Sequence, residues 1–219
     1  MPLHTTDALI LRTYKLGESD RIVVFLTRDR GKKRGVAKNA RQSRRRFGGA
    51  LEPLTYGRVG YVERERRDLV RLDYVEQLRS PLSAVDGEAL GYVSYFAELI
   101  DEWAPEADPN EALFRLGVSM TDAIAQGVPI EPLARDFEFW LLRLQGVYEL
   151  DRRLSEEAQA FLVTARSSSP FALARVAVSR GALRELEAAH RALISMHLEK
   201  DLKSVRVLRE MRSGGLRDR

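Results

Sequence analysis

Ten of the nineteen residues from 28 to 46 carry a positive side chain: Arg28, Arg30, Lys32, Lys33, Arg34, Lys38, Arg41, Arg44, Arg45 and Arg46. Asp29 is the only acid among them, so the stretch holds +9, whereas the whole chain holds +4 (36 basic against 32 acidic residues) and the remainder is net acidic at −5. Cations of this kind hold oxyanions. Seven of the ten are arginine, whose planar fork matches a phosphate edge and stacks on a base. A concentrated positive field beside a folded surface suits a polyphosphate partner. A solvated loop or a disordered basic arm has the same composition, so the surroundings must decide.

Other chemistry is scarce. The chain has no cysteine, which removes disulfides, thiolate-ligated zinc and thiol nucleophiles. No nucleophile elbow, phosphate-binding glycine loop or dinucleotide fingerprint is present. His4 falls in a terminus expected to be mobile. His190 and His197 stand seven apart on one predicted helix, too far to share a metal as an i, i+4 pair does. Glu156 and Glu157 fit a helix start, Glu63 and Glu65 a charged hairpin, and Trp103 and Trp140 helix packing. The reading is a protein without catalytic residues, metal or cofactor. No signal-peptide pattern and no apolar run of about 18 residues occur, so the expectation is a cytoplasmic protein with no membrane segment.

The elements that must position the cations read as follows. Residues 8–14 and 21–27 are β-rich runs joined by a turn, and Gly31 marks a second turn needing positive φ. Residues 32–38 form a weaker third strand and 39–50 a basic loop. Alternation then marks strands over 55–63 and 69–77, with RERRD between them as a charged hairpin and Val70, Leu72 and Tyr74 on one face. Five short strands point to a small closed barrel. The OB-fold is the commonest such barrel, and an SH3-like barrel has the same strand count.

Beyond Pro81 the apolar period becomes helical, with Leu90, Val93, Ala97 and Ile100 on one predicted face. Asp108 is the expected cap of a helix carrying Leu113, Leu116, Met120 and Ile124. Glu131-Pro132 opens the next, with Phe137, Trp140, Leu141 and Leu144 inward and Gly146 at its end. Ser155, Ser169-Pro170 and residues 182–200 start or form further helices, and a short one holds Val205, Leu208 and Met211. The fold class is α+β in two domains, a five-stranded barrel over 1–80 and an all-α region of about six helices over 81–219. Net charge shifts from +9 to −5 at the same boundary.

In that barrel the basic stretch joins strands 2 and 3 and leaves strand 3 into the loop, where an OB-fold holds nucleic acid. Lys32, Arg34 and Lys38 should be fixed on the strand, with Arg41 to Arg46 mobile until a phosphate backbone orders them. Tyr14, Phe47, Tyr56 and Tyr61 are each a base-stacking candidate or a core residue. So few aromatics favour backbone holding over base reading.

The order of these segments resembles the RecO family of bacterial recombination mediators. The resemblance rests on Gly17-Glu18-Ser19-Asp20, on Phe25 and Thr27 before Gly31-Lys32, on Val36-Ala37-Lys38, the Arg41–Arg46 loop and Gly49-Ala50-Leu51-Glu52-Pro53. Phe137-Glu138 with Leu141-Leu142 and Gly146, and Leu202-Lys203-Ser204 with Leu208, extend it in register. It implies an N-terminal OB-fold, binding of single- and double-stranded DNA, and annealing of complementary strands. It also implies work with RecR in loading RecA onto DNA coated by single-strand-binding protein, whose C-terminal tail the helical domain contacts. The resemblance offers Arg135 for that tail; a surface helix arginine would read the same. Many RecO proteins carry a four-cysteine zinc module after the Phe-Glu helix, and here residues 146–153 run almost directly into the Ser155 helix, leaving no room for it. Two other readings of the basic barrel are an RNA- or ribosome-binding OB module and a protein-interaction adaptor.

Overall fold

A computed structural model describes residues 2–63, 68–83, 87–149, 153–200 and 202–214. The RERRD hairpin falls largely outside them. Five strands come first: β1 (Leu3–Leu16), β2 (Asp20–Thr27), β3 (Gly31–Ala37), β4 (Tyr56–Val62) and β5 (Val70–Arg79). They close in the order β1-β2-β3-β5-β4, with β1 also paired to β4. Every pairing is antiparallel except β3 with β5, which run parallel over Gly35–Val70, Val36–Arg71 and Ala37–Leu72. This is the OB-fold order, which resolves the choice between the two barrels.

The strands close because their inward residues are apolar and graded in size. Ile10, Val23, Phe25, Val59, Tyr61 and Leu72 fill the barrel. Burial pushes the Tyr61 hydroxyl up to about 12. Gly60 lies under Tyr74, whose ring is 2.2 Å from where a Cβ would stand, so a side chain there would split β4 from β5. Register shifts within the β4–β5 pair bring Val75 into the core beside Val70 and Leu72 and leave Tyr74 half-buried. The predicted simple alternation of β5 therefore breaks at its middle.

β1 and β2 are apolar without alternation because both of their faces are covered. Leu9, Leu11, Val24 and Leu26 point outward and join the core of the helices. The strand region and the helical region thus share one apolar cluster. His4 lies on β1, paired with Tyr61 and 5.4 Å from its ring, not in a loose terminus.

The helices are α1 (Gly87–Trp103), α2 (Glu111–Ala125), α3 (Ile130–Leu144), α4 (Glu156–Ser167), α5 (Arg180–Leu198) and α6 (Lys203–Gly214). Asn110, not Asp108, caps α2, its side chain accepting from Leu113 N at 3.0 Å. Asp108 is instead held in the connection before the helix. Ser155 and Ser179 cap α4 and α5 in the same way. Leu90 and Leu144, expected inward, are exposed, because Tyr92, Phe96 and Leu99 of α1 and Phe137, Leu141 and Leu142 of α3 make the buried faces. α6 packs on α1 where Gly91 leaves room for Leu208. Among the described residues no helix is long and apolar enough to cross a membrane.

Candidate nucleic-acid interface

The basic stretch is continuous in sequence and split in space. Its first five cations surround the β2–β3 turn and the body of β3. Its last five follow β3 at the opposite end of the barrel, about 20 Å of extended strand away.

The first group meets carboxylates throughout. Arg28 pairs with Glu111 at 3.2 Å, Arg30 with Asp29 at 3.8 Å, and Arg34 with Glu106 at 2.8 Å. The Lys33 ammonium donates to Glu63 at 3.0 Å, and that hydrogen bond holds the Glu63 carboxyl below its usual range. Lys32, expected to face a phosphate, is 8% exposed: its ammonium donates to Asp101 O at 2.6 Å and lies 3.2 Å from Asp101 Oδ1. The reason is the pleat. Lys32, Arg34 and Val36 do point outward, but the connection between α1 and α2 runs along the free half of β3's edge. Lys32 N donates to Pro105 O and Ala107 N donates to Lys32 O, at 3.2 and 3.1 Å. Gly31, at φ 66, sits against Asp108, whose backbone N is 2.3 Å from a built Cβ. Lys32 is therefore withdrawn from the candidate site.

The second group is differently placed. Residues 39–47 fold as consecutive turns, with Ser43 N and Phe47 N donating to Asn39 O and Ser43 O at 3.0 and 3.1 Å. Arg41 N donates to Ser19 O, Asn39 N to Asp20 Oδ1, and Val75 N to Arg46 O, tying the loop to the β1–β2 turn and to β5. Phe47, 1% exposed, and Ala50 enter the barrel and close that end. The expectation of a loop loose until bound gives way to a tethered platform, because an aromatic plug pays for its order. Arg46 is part of that frame: it donates to Ser43 Oγ at 2.9 Å and Lys38 O at 2.7 Å, and its guanidinium lies 5.0 Å from the Phe47 ring centre.

Lys38, Arg41, Arg44 and Arg45 stand exposed on this platform. Arg41 donates to the Glu18 carbonyl at 3.3 Å. Among the described residues none of the four pairs with a carboxylate. Two cations that the sequence did not single out adjoin them. Lys15 and Arg21 are cross-strand partners at the same end, and Arg21 also pairs with Ala37 at the end of β3. Strand pairing is the signal that finds them.

Of the four aromatics, Tyr14 is 47% exposed, whereas Phe47 and Tyr61 belong to the barrel core. Tyr56 packs edge-on against Phe114 at 6.2 Å and donates to Asp7 at 3.2 Å. Of the four only Tyr14 has an open ring, and strand pairing sets it opposite Ile22, on the face of β1 that Arg12 shares.

Arg135 is far from this end and 3% exposed. It lies 3.0 Å from Glu138, to which Tyr95 and His190 are also joined at 2.9 and 3.1 Å, and 3.7 Å from Glu187. Burial works against its charge, but Glu138 and then the other partners hold its pKa raised. It lines a cavity of about 300 Å3 together with Arg180 and Arg184, so it is a cavity residue, not the surface arginine that the sequence also allowed. His190 is 1% exposed, and His197 lies on the exposed side of α5.

Similarity to known proteins covers both the barrel and the first helices. Family models described as "Recombination protein O N terminal" and "Recombination protein O C terminal" match residues 1–81 and 84–151. The chain is 46% identical over 145 residues to the DNA repair protein RecO of Koribacter versatilis, covering 66% of this chain and 59% of that protein. It is 42% identical over 142 residues to that of Anaeromyxobacter sp. (strain K), covering 64% and 55%, and 33% identical over 156 residues to that of Pelotomaculum thermopropionicum, covering 71% and 60%. The matches span less than two thirds of the length of these relatives.

Proposed function

Because the chain belongs to the RecO family, we propose that it is a non-catalytic DNA-binding protein of recombinational repair whose platform at residues 38–46 holds the phosphate backbone. The observation that carries the reading is charge left without counter-charge: Lys38, Arg41, Arg44 and Arg45 are exposed on an ordered loop and meet no carboxylate among the described residues. Lys15 and Arg21 extend the same end of the barrel. Phosphates replace the counterions that such a surface otherwise gathers, so affinity comes from ion release and carries little sequence preference.

Strand annealing follows from the same physics. Two complementary strands repel one another, and a cationic platform lowers that repulsion while leaving the bases free to pair. Single- and double-stranded DNA are both substrates of a surface that reads charge. The family reading adds RecR as partner in loading RecA onto DNA coated by single-strand-binding protein. For that coat protein's C-terminal tail it offers Arg135, which lines a cavity together with Arg180 and Arg184.

The test is filter binding and annealing with the double variant Arg44→Ala/Arg45→Ala, which spares the structural Arg46. The slope of log affinity against log salt on single-stranded DNA should fall by about 1.4, at about 0.7 per phosphate contact. Wild-type affinity and slope in the variant would remove the platform from the site. A clear preference for structured RNA over DNA would favour the ribosome- or RNA-binding module, and weak nucleic-acid binding at moderate salt the adaptor.

A further inference from the structure

A second concentration of cations lies far along the chain from the barrel loop. Between residues 191 and 211 there are five lysines and arginines, Arg191, Lys200, Lys203, Arg206 and Arg209, and all five line one cavity of about 270 Å3 where α5 meets α6. Its apolar part comes from Ile194, Leu202 and Val205.

The cations divide by role. Arg191 is bonded to Glu187 and Lys200 to Glu102, which fixes the two flanks of the cavity. Lys203 and Arg206 are exposed, and neither pairs with a carboxylate among the described residues. Lys203, Arg206 and Arg209 recur every three residues, which sets one cation per turn along one side of α6, about 4.5 Å of rise apart. The start of α6 is not the attraction. Its Lys203 and Ser204 N–H groups already donate to Glu98, at 3.2 and 2.7 Å, so side chains alone make the positive surface.

This arrangement is also joined to the barrel through ion pairs and hydrogen bonds. Arg12 of β1 lies 3.4, 2.7 and 3.0 Å from Glu98, Asp101 and Glu102 of α1. Glu98 holds the start of α6, and Glu102 holds Lys200. Burial opposes the Glu102 charge, but the bonds from Lys200 and Arg12 keep its carboxyl below the usual range. The carboxylates of the joint are thus consumed internally, while Lys203 and Arg206 face outward.

We propose that the α5–α6 cavity is a second phosphate-backbone site, so that one chain holds nucleic acid at two separate surfaces. A row of cations at helical repeat complements a polymer whose charge also repeats, and the apolar part accepts a base or sugar between phosphates. An acidic peptide is the competing class, and its carboxylates need no repeating row.

The experiment uses the full chain and a short oligo(dT), followed by fluorescence anisotropy across a salt series. Lys203→Ala/Arg206→Ala should lower the salt slope by about 1.4 and abolish the weaker of two binding phases, with the thermal midpoint unchanged. Lys203→Arg/Arg206→Lys should restore both. Combining the first pair with Arg44→Ala/Arg45→Ala should add the two losses. Wild-type slope and phases in Lys203→Ala/Arg206→Ala overturn the proposal, as does poly-glutamate that removes oligo(dT) from the Arg44→Ala/Arg45→Ala protein at equal charge concentration. Loss of binding on changing Lys203 and Arg206, with none on changing Arg44 and Arg45, would sink the platform reading and leave this one standing.

Discussion

Residues 28–34 and 38–46 each carry five cations, and they meet opposite fates. In the first segment each cation finds a carboxylate: Asp29 and Glu63 from the barrel, Asp101, Glu106 and Glu111 from the helical region. In the second, order comes from backbone hydrogen bonds and a buried aromatic, and the charges stay open. Density of charge along a chain is therefore a poor measure of the field it makes. The field is what remains after the rest of the fold has supplied counter-charges.

The strongest way to break this comparison is to remove the plug that orders the second segment. Phe47→Ala deletes a fully buried ring from the barrel end and should cost about 4 kcal/mol, read from urea or thermal melts. Amide exchange in residues 39–46 should then accelerate well beyond that of β3. A loss under 1 kcal/mol, or unchanged exchange, would show that the loop owes its order to something other than Phe47.

Next in size is Lys32→Ala. It leaves Asp101 without its ammonium partner at a nearly closed joint, and breaking such a pair costs about 3–5 kcal/mol. The lower end, about 3 kcal/mol, is expected because Arg12 still lies 2.7 Å from Asp101. The DNA salt slope of the folded protein should not change. A fall of about 0.7 in that slope, with little loss of stability, would return Lys32 to the interface.

Much of the barrel was legible from local pattern. The five strands lie close to where β-rich runs, alternation and turn residues put them, although β1 starts at Leu3, five residues before the predicted run, and Gly31 has the positive φ its turn requires. The fate of Lys32 was not legible there. Period-two alternation says that Lys32, Arg34 and Val36 share a face, but not whether water or another element lies against it. The counter-signal sat some seventy residues away, in Asp101 at the end of an apolar helix and in the acids at 106 and 111. Charges that far apart in sequence are matched only by topology. The same limit hid Lys15 and Arg21, whose place beside the platform comes from strand pairing, and the basic cavity between α5 and α6, whose cations come from two helices and their junction.

The smallest expected effect separates the two segments most sharply. Arg34 and Glu106 are about half exposed and 2.8 Å apart, the kind of surface pair worth about 0–1 kcal/mol. Arg34→Ala should leave both stability and the DNA salt slope within error, because the charge it removes is already matched by Glu106. Glu106→Ala should do the opposite and raise the slope by about 0.7, since it frees a cation for phosphate while the backbone bonds of residues 105 and 107 to Lys32 survive. The pair of variants tests the counter-charge argument itself. A slope that falls in Arg34→Ala as far as in Arg44→Ala would mean that the Arg34–Glu106 pair opens when DNA arrives. The stretch from 28 to 46 would then act as one surface after all, with the acids of the helical region competing against phosphate for it.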